Sequence, residues 1–88
     1  MIISMRAKEL ANEGRDIVDM SLGEPDFDTP AHIVDAAAQA MRDGHTRYTA
    51  ARGLPALREA IAGFYRGRYG LEIAPERILV TPGGSGAL

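Results

Sequence analysis

The pattern of apolar and polar positions predicts three helices and two short extended runs. Apolar residues recur at helical spacing in residues 4–13, 29–41 and 54–69. Residues 17–22 alternate between apolar and polar side chains, which is typical of a strand exposed on one face. Residues 78–81 begin with three apolar side chains without alternation, which favours a strand covered on both faces in a parallel sheet. Neither strand has an obvious partner in the chain, so the sheet is expected to lie elsewhere.

The predicted helices have recognisable start and stop residues. Ser4 is the predicted N-cap of the first helix. Thr29 and Pro30 predict the start of the second helix, with Thr29 as N-cap and Pro30 at the first helical position. Each helix is predicted to stop at a glycine, in chain order Gly14, Gly44 and Gly70.

The composition excludes several classes of function. Of the 88 residues, 45% are hydrophobic and 25% charged, with a net charge of −2, which is ordinary for a soluble domain that buries roughly two-thirds of its unfolded surface. No segment concentrates positive charge, so no nucleic-acid partner is expected. No apolar stretch approaches the ~20 residues of a membrane span, and the N-terminus lacks the apolar core of a signal peptide. We therefore expect no membrane partner and a cytoplasmic location.

Two residue counts restrict the chemistry further. The chain has no cysteine, which excludes disulfides, thiolate catalysis and zinc–thiolate sites. Lys8 is the only lysine, so imine chemistry within these residues could use only Lys8 or the N-terminal amine. Lys8 is expected in an exposed helix, not in a desolvated pocket. Four arginines of the second half are expected on solvated helix faces rather than in a basic groove, namely Arg52, Arg58, Arg66 and Arg68.

A metal site is not predicted. Glu24, Asp26 and Asp28 alternate as the ligands of a calcium loop do. Thr29 stands where that loop requires glycine, however, and Asp35 stands where it requires glutamate. Turn formation and the charge preference of a helix N-terminus explain these acidic residues without a metal.

The glycine-rich end of the chain is its most informative motif. Thr81 and Pro82 lead from the apolar run into Gly83-Gly84-Ser85-Gly86. Glycines let the backbone approach a ligand, and the free N–H groups of a starting helix bind anions such as phosphate. The motif lacks the lysine of a Walker loop, and the helix that would complete it is expected to begin where the sequence ends. By itself the motif is compatible with a phosphate cup or with a simple turn between strand and helix.

Three segments in order resemble the N-terminal part of the pyridoxal-phosphate-dependent aminotransferases of class I/II, which have fold type I. They read SLGEPDFDTP at residues 21–30, RYT at residues 47–49 followed by GLPALREAIA at residues 53–62, and TPGGSGAL at residues 81–88. The resemblance covers nearly the whole chain. Its Gly-Glu-Pro-Asp-Phe form is typical of the branch that includes many bacterial aspartate, alanine and broad-range aminotransferases.

The resemblance implies an α/β parent protein of which this chain is a mostly helical N-terminal fragment with one or two short strands. Residues 1–28 would form the N-terminal arm and the substrate-side loop, as part of the small domain. Residues 29–88 would supply helices and the first strand leading into the large cofactor domain, truncated at residue 88. The parent would be a homodimer that transfers an amino group between an amino acid and a 2-oxo acid.

The resemblance also implies which residues form the site. Gly83, Gly84 and Ser85 would hold the phosphate of pyridoxal 5′-phosphate through backbone N–H groups and the Ser85 hydroxyl. Tyr48 would reach the cofactor phosphate of the neighbouring subunit. Gly23 would place its backbone N–H against the α-carboxylate of the substrate. These are binding roles, and no catalytic residue is expected within the chain.

The parts of the family site that this sequence lacks determine what the chain alone is expected to do. The Schiff-base lysine, the aspartate at the pyridine nitrogen, the aromatic residue stacked on the ring and the substrate-binding arginine all come later in the family's sequences. The chain alone is therefore expected to be inactive and not to bind the cofactor. Two alternatives are a small phosphate-binding module and a self-associating structural module, neither with enzyme activity.

Overall fold

The computed structural model describes all 88 residues, which group into two compact units, Met1–Gln39 and Ala40–Leu88. The chain contains four α-helices, one 3-10 turn at Pro75–Arg77 and no strand. The helices are α1 Ile2–Asn12, α2 Ala31–Arg42, α3 Pro55–Tyr69 and α4 Gly83–Ala87. The mostly helical character expected of the chain is therefore present.

Helix α1 begins earlier than the sequence predicts. Since α1 starts at Ile2, Ser4 lies within its first turn. There the Ser4 hydroxyl donates a hydrogen bond back to the carbonyl of Met1 at 2.9 Å. The predicted N-cap at Ser4 is wrong. The predicted stop at Gly14 is confirmed: Gly14 has φ +85°, and the amide of Arg15 donates to the carbonyl of Leu10 at 3.1 Å. This bond across the left-handed residue closes the helix in a Schellman motif.

Helix α2 starts one residue later than predicted and stops where predicted. The carbonyl of Pro30 accepts the amides of Ile33 and Val34 at 3.0 and 3.1 Å, so Pro30 is the last residue before the helix and not its first. Gly44, with φ +87°, ends the helix in the same way as Gly14 ends α1. No residue of α2 is buried. The apolar stripe that predicted this helix is therefore mostly exposed, with Ala40 only partly covered.

The two predicted strands are wrong for this chain. In residues 17–22 the hydrogen bonds are local and join Asp19 to Ser21. Residues 78–81 form a single backbone hydrogen bond to a distant residue, from the Val80 amide to the Arg52 carbonyl. A ladder needs a second extended segment alongside the first, and no other part of the chain supplies one.

The second unit is organised around the packing of α3 against the 3-10 turn Pro75–Arg77. Ala62 on α3 is the only buried apolar residue of the chain. Arg58, about one helical turn before Ala62, is half-buried. Its Nη1 donates to the carbonyl of Pro75 at 3.5 Å, and its Nε is buried without a partner. The expectation that Arg58 is solvated is wrong, whereas Arg66 is exposed as expected.

The chain leaves much of its surface uncovered. Its accessible area is 8235 Å², whereas a compact domain of this length exposes about 5000 Å² and its unfolded chain about 13,600 Å². Folding therefore buries only about 40% of the unfolded surface, and the expected two-thirds is wrong. A chain with one buried apolar side chain has no core large enough to cover its helices.

Candidate functional site

The glycine-rich segment forms a short helix with an open N-terminus. Helix α4 occupies Gly83–Ala87, so the helix begins inside the glycine motif and not after it, as the sequence analysis expected. Its N-cap, Pro82, has extended backbone and provides no side-chain cap. The first N–H groups of a helix have no partner within the helix. Here the residues of the first turn are exposed to solvent.

The environment of α4 fits a phosphate group. A Cβ placed on Gly83 or on Gly84 would meet no atom within 4 Å, so the space beside the first turn is open. Ser85 is exposed and its hydroxyl forms no hydrogen bond within the chain. The first turn contains no acidic residue that would repel an anion. Backbone N–H groups and a hydroxyl are the donors by which helix N-termini hold phosphate.

Two hydrogen bonds hold the residues that lead into α4, one to the start of the helix and one to the loop before α3. The Thr81 hydroxyl donates to the carbonyl of Gly83 at 3.0 Å, and the Val80 amide donates to the carbonyl of Arg52 at 3.0 Å. The neighbour of Arg52 is Gly53, whose backbone has φ +98°. In the sequence, Gly53 stands out only as the first residue of the segment 53–62, one of those that carry the family resemblance. A sequence signal for it is a glycine two residues before Pro55, the first residue of α3, with Leu54 between them as the N-cap.

Tyr48 is fully exposed at the surface of the same unit. Its side chain has a relative accessibility of 106%, and its hydroxyl has no partner within the chain. Tyr48 lines a cleft of about 220 Å³ whose other residues are Gly44, His45, Arg47, Thr49 and Leu54. Gly83, Gly84 and Ser85 do not line this cleft, so a ligand contact by Tyr48 would use a different surface from theirs.

Gly23 lies in the first unit, after a short hydrogen-bonded turn. The backbone amide and the hydroxyl of Ser21 donate to Asp19 Oδ1 at 2.9 and 2.6 Å. The hydrogen bond from the Ser21 hydroxyl, and after it the hydrogen bond from the Ser21 backbone amide, lower the pKa of Asp19 below its usual range, because both favour the ionised carboxylate. Gly23 itself is exposed, and a Cβ added to it would meet nothing within 4 Å. Nothing within the chain therefore requires glycine at this position.

The predicted site residues are thus brought together only in part. Gly83, Gly84 and Ser85 share one helical turn, Tyr48 lies in a separate cleft of the same unit, and Gly23 belongs to the other unit. Their roles stay predictions. No group of three or more histidine, aspartate or glutamate side chains is placed to hold a metal ion. None of the helices has both the length and the apolar character needed to cross a membrane.

The chain is similar to known aminotransferases. Residues 15–88 match the family described as aminotransferase class I and II. The sequence is 46% identical over 88 residues to an aspartate aminotransferase from Geobacillus stearothermophilus, a match that covers 100% of this chain and 22% of that protein. It is 46% identical over 86 residues to a probable aspartate/prephenate aminotransferase from Thermus aquaticus, covering 98% of this chain and 22% of that protein.

A solved structure shows the same similarity. A single mutant of Thermus thermophilus aspartate aminotransferase matches the chain with a TM-score of 0.82 and 45% sequence identity. The match covers 98% of this chain and 22% of that one. The chain therefore spans about a fifth of the length of the relatives that it matches.

Proposed function

Because this chain belongs to the aminotransferases of class I and II, we propose that it supplies the phosphate-binding part of an enzyme that depends on pyridoxal 5′-phosphate. The resemblance seen in the sequence motifs is confirmed by the family match, and the fold class by the solved aspartate aminotransferase. In the complete enzyme the bound cofactor supplies an electron sink for moving an amino group between an amino acid and a 2-oxo acid.

The observation that carries this proposal is the open N-terminus of α4. Gly83 and Gly84 leave room beside the first turn, and the Ser85 hydroxyl is free to donate. A phosphate there would accept hydrogen bonds from the backbone N–H groups of Gly84 and Ser85 and from the Ser85 hydroxyl. Hydrogen bonds to a charged acceptor are stronger than those between neutral groups, which suits a dianionic phosphate.

Tyr48 and Gly23 are proposed to contact ligands through surfaces other than the start of α4. The exposed Tyr48 hydroxyl would donate to the cofactor phosphate of the neighbouring subunit in a homodimer, which fits its lack of a partner within its own chain. The Gly23 amide would donate to the α-carboxylate of the substrate, and the open space beside Gly23 leaves room for that approach. Residues 1–28 would serve the substrate side of the enzyme and residues 29–88 its cofactor side, in the cytoplasm.

The 88 residues alone are proposed to be inactive. The family's chemistry needs a lysine that binds the cofactor covalently, and Lys8 lies exposed on α1. Lysines that form imines are desolvated in an apolar pocket or lie beside another cation, and the exposed Lys8 lacks such a pocket. The isolated chain is accordingly proposed not to retain pyridoxal 5′-phosphate.

A hybrid enzyme tests this function. In it, residues 1–88 replace the matching segment of the Geobacillus stearothermophilus aspartate aminotransferase, which aligns with the whole chain. We expect the hybrid to take up pyridoxal 5′-phosphate, seen by visible absorbance, and to transfer the amino group of aspartate. A hybrid that folds as a dimer but takes up no cofactor would contradict the proposal. The unmodified Geobacillus enzyme is the positive control.

A serine substitution tests the phosphate contact in the same hybrid. Ser85→Ala removes the hydrogen bond that the Ser85 hydroxyl would donate to the charged phosphate, and is expected to weaken cofactor binding by about tenfold. Ser4→Ala removes a serine whose hydroxyl donates a hydrogen bond to the carbonyl of Met1 at the start of α1, and should leave the cofactor affinity unchanged. Equal affinities for the Ser85→Ala hybrid and the parent hybrid would remove Ser85 from the site.

For the isolated chain, the alternative of a self-associating structural module is favoured by its uncovered surface. Large apolar side chains are exposed along both units, for example Val18, Met20 and Phe27 in the first and Phe64 and Tyr69 in the second. Contiguous exposed apolar surface drives association in water. Sedimentation of the 88-residue chain should show oligomers that grow with concentration.

Titration of the 88-residue chain with inorganic phosphate tests the other alternative, a small phosphate-binding module, since only an independent module of that kind would bind phosphate saturably.

A further inference from the structure

The loop before α3 meets the segment before α4 at one point of close backbone approach. The Val80 amide donates to the Arg52 carbonyl at 3.0 Å. The adjoining Gly53 has φ +98°, a conformation that side-chain-bearing residues rarely adopt. A Cβ on Gly53 would lie 2.6 Å from Val80 Cγ2 and 2.7 Å from Val80 Cβ. Glycine is therefore required here twice, by its backbone angle and by the proximity of Val80. We call Arg52, Gly53 and Val80 the Gly53 joint.

The joint is held on both sides. The Gly53 amide donates to the Ala50 carbonyl at 2.8 Å, which fixes the turn that carries Gly53. The Arg52 Nη1 donates to the Glu76 carbonyl at 3.0 Å, four residues before Val80. Arg52 therefore contacts the segment leading to α4 at two places, once through its backbone and once through its side chain. These two hydrogen bonds join the segment that leads to α4 to the loop before α3.

The joint acts on α4 through a short connection. Thr81 follows Val80 directly, and its hydroxyl donates to the carbonyl of Gly83 at 3.0 Å. Gly83, which starts α4, is thus three positions from Val80 and is hydrogen-bonded to Thr81, the residue that follows Val80. A displacement of Val80 would be passed to the N–H groups of Gly84 and Ser85. The four other glycines of the chain with positive φ have nothing within 4 Å of an added Cβ, which distinguishes Gly53 from a simple turn glycine.

We propose that Gly53 is a positioning residue for phosphate binding: by admitting Val80 against its backbone, it sets the place of the N–H groups at the start of α4. This inference rests on the proposed function of α4. Gly53 does not contact the phosphate, and its effect passes through Val80 and Thr81. Small errors in the placement of binding groups have large effects, because a displacement of ~1 Å can cost about a hundredfold in the efficiency of a site.

Amide hydrogen exchange in the 88-residue chain tests the joint without any ligand. After correction for intrinsic rates, the Val80 amide should exchange about fivefold more slowly than those of Leu79 and Thr81, as expected for one intramolecular hydrogen bond. Leu79 and Thr81 donate no such bond. Gly53→Ala should abolish the difference. The matched control is Gly14→Ala, because Gly14 has φ +85° but no atom within 4 Å of an added Cβ. Equal rates at all three amides in the unmodified chain would overturn the joint.

Cofactor binding by the hybrid enzyme tests the positioning role. Gly53→Ala should weaken the binding of pyridoxal 5′-phosphate by about tenfold to a hundredfold and leave that of pyridoxal, which has no phosphate, unchanged. A general loss of folding would weaken both. The double variant Gly53→Ala/Val80→Gly removes the atoms that the new Cβ would meet, and should recover part of the lost affinity. An equal loss for the two ligands, or none for either, would overturn the proposal.

The two tests separate this inference from the function on which it rests. If the unmodified hybrid binds no pyridoxal 5′-phosphate while Val80 is protected, the proposed function fails; the joint is then a folding contact and the positioning role is overturned. If the hybrid binds the cofactor and Val80 is unprotected, the function stands and the joint fails. Should Gly53→Ala not fold, Val80 protection in the unmodified chain and ligand binding by the double variant decide between these outcomes.

Discussion

The two units of the chain differ in how far apart in sequence their contacts reach. In the first unit, the hydrogen bonds of α1 and of the Asp19 turn join residues at most five positions apart. In the second unit, Arg58 contacts Pro75 and Arg52 contacts Glu76, across 17 and 24 positions. Local contacts form a helix or a turn, but only distant contacts position one element against another. The residues proposed to bind phosphate belong to the unit that has such contacts.

The largest expected effect comes from the single buried apolar position. Ala62→Asp places a charge where Ala62 is 4% exposed, and an unpaired buried charge costs about 3 kcal/mol or more. We expect amide protection in α3 to be lost while α1 keeps its own. The control is Ala60→Asp, an exposed position of the same helix, which should cost less than about 1 kcal/mol. Unchanged protection of α3 in Ala62→Asp would mean that Ala62 does not hold the second unit together.

A smaller effect is expected at Arg58. Its hydrogen bond to Pro75 is long, at 3.5 Å, and its buried Nε has no partner. A buried donor without a partner costs about 1–3 kcal/mol, so the guanidinium contributes little net stability. Arg58→Met keeps the aliphatic stem and should leave the free energy of unfolding unchanged or raise it by up to about 1 kcal/mol. Denaturant unfolding measures this, with Arg68→Met as the exposed control, and a clear loss of stability would contradict it.

The smallest expected effect lies in the first unit and depends on pH. The Ser21 hydroxyl and amide lower the pKa of Asp19. A carboxyl whose folded pKa lies below its unfolded value stabilises the fold above the unfolded pKa, and this contribution is lost as the pH falls through the folded pKa. Ser21→Ala should raise the pKa of Asp19 towards its usual range without affecting the second unit. Carboxyl titration by NMR measures this, and an unmoved pKa would show that the hydroxyl is not its cause.

The same contrast explains what could be predicted from sequence. The helix stops at Gly14 and Gly44 were predictable, because a left-handed glycine after an apolar stripe is a local signal. The family was predictable because the glycine turn and two further segments occur in order. The partial burial of Arg58 and the proximity of Gly53 to Val80 could not be predicted, because both depend on contacts between residues far apart in sequence. The predicted strands failed for a related reason: strand propensity is local, whereas a ladder needs a partner strand.

The most direct test of the account is a crystal structure of the hybrid enzyme with pyridoxal 5′-phosphate. We expect the cofactor phosphate within about 3 Å of the backbone nitrogens of Gly84 and Ser85. We also expect the hydroxyl of Tyr48 from the neighbouring subunit to donate to the same phosphate. A phosphate bound away from the start of α4 would contradict the central claim that this chain provides the phosphate-binding part of the enzyme.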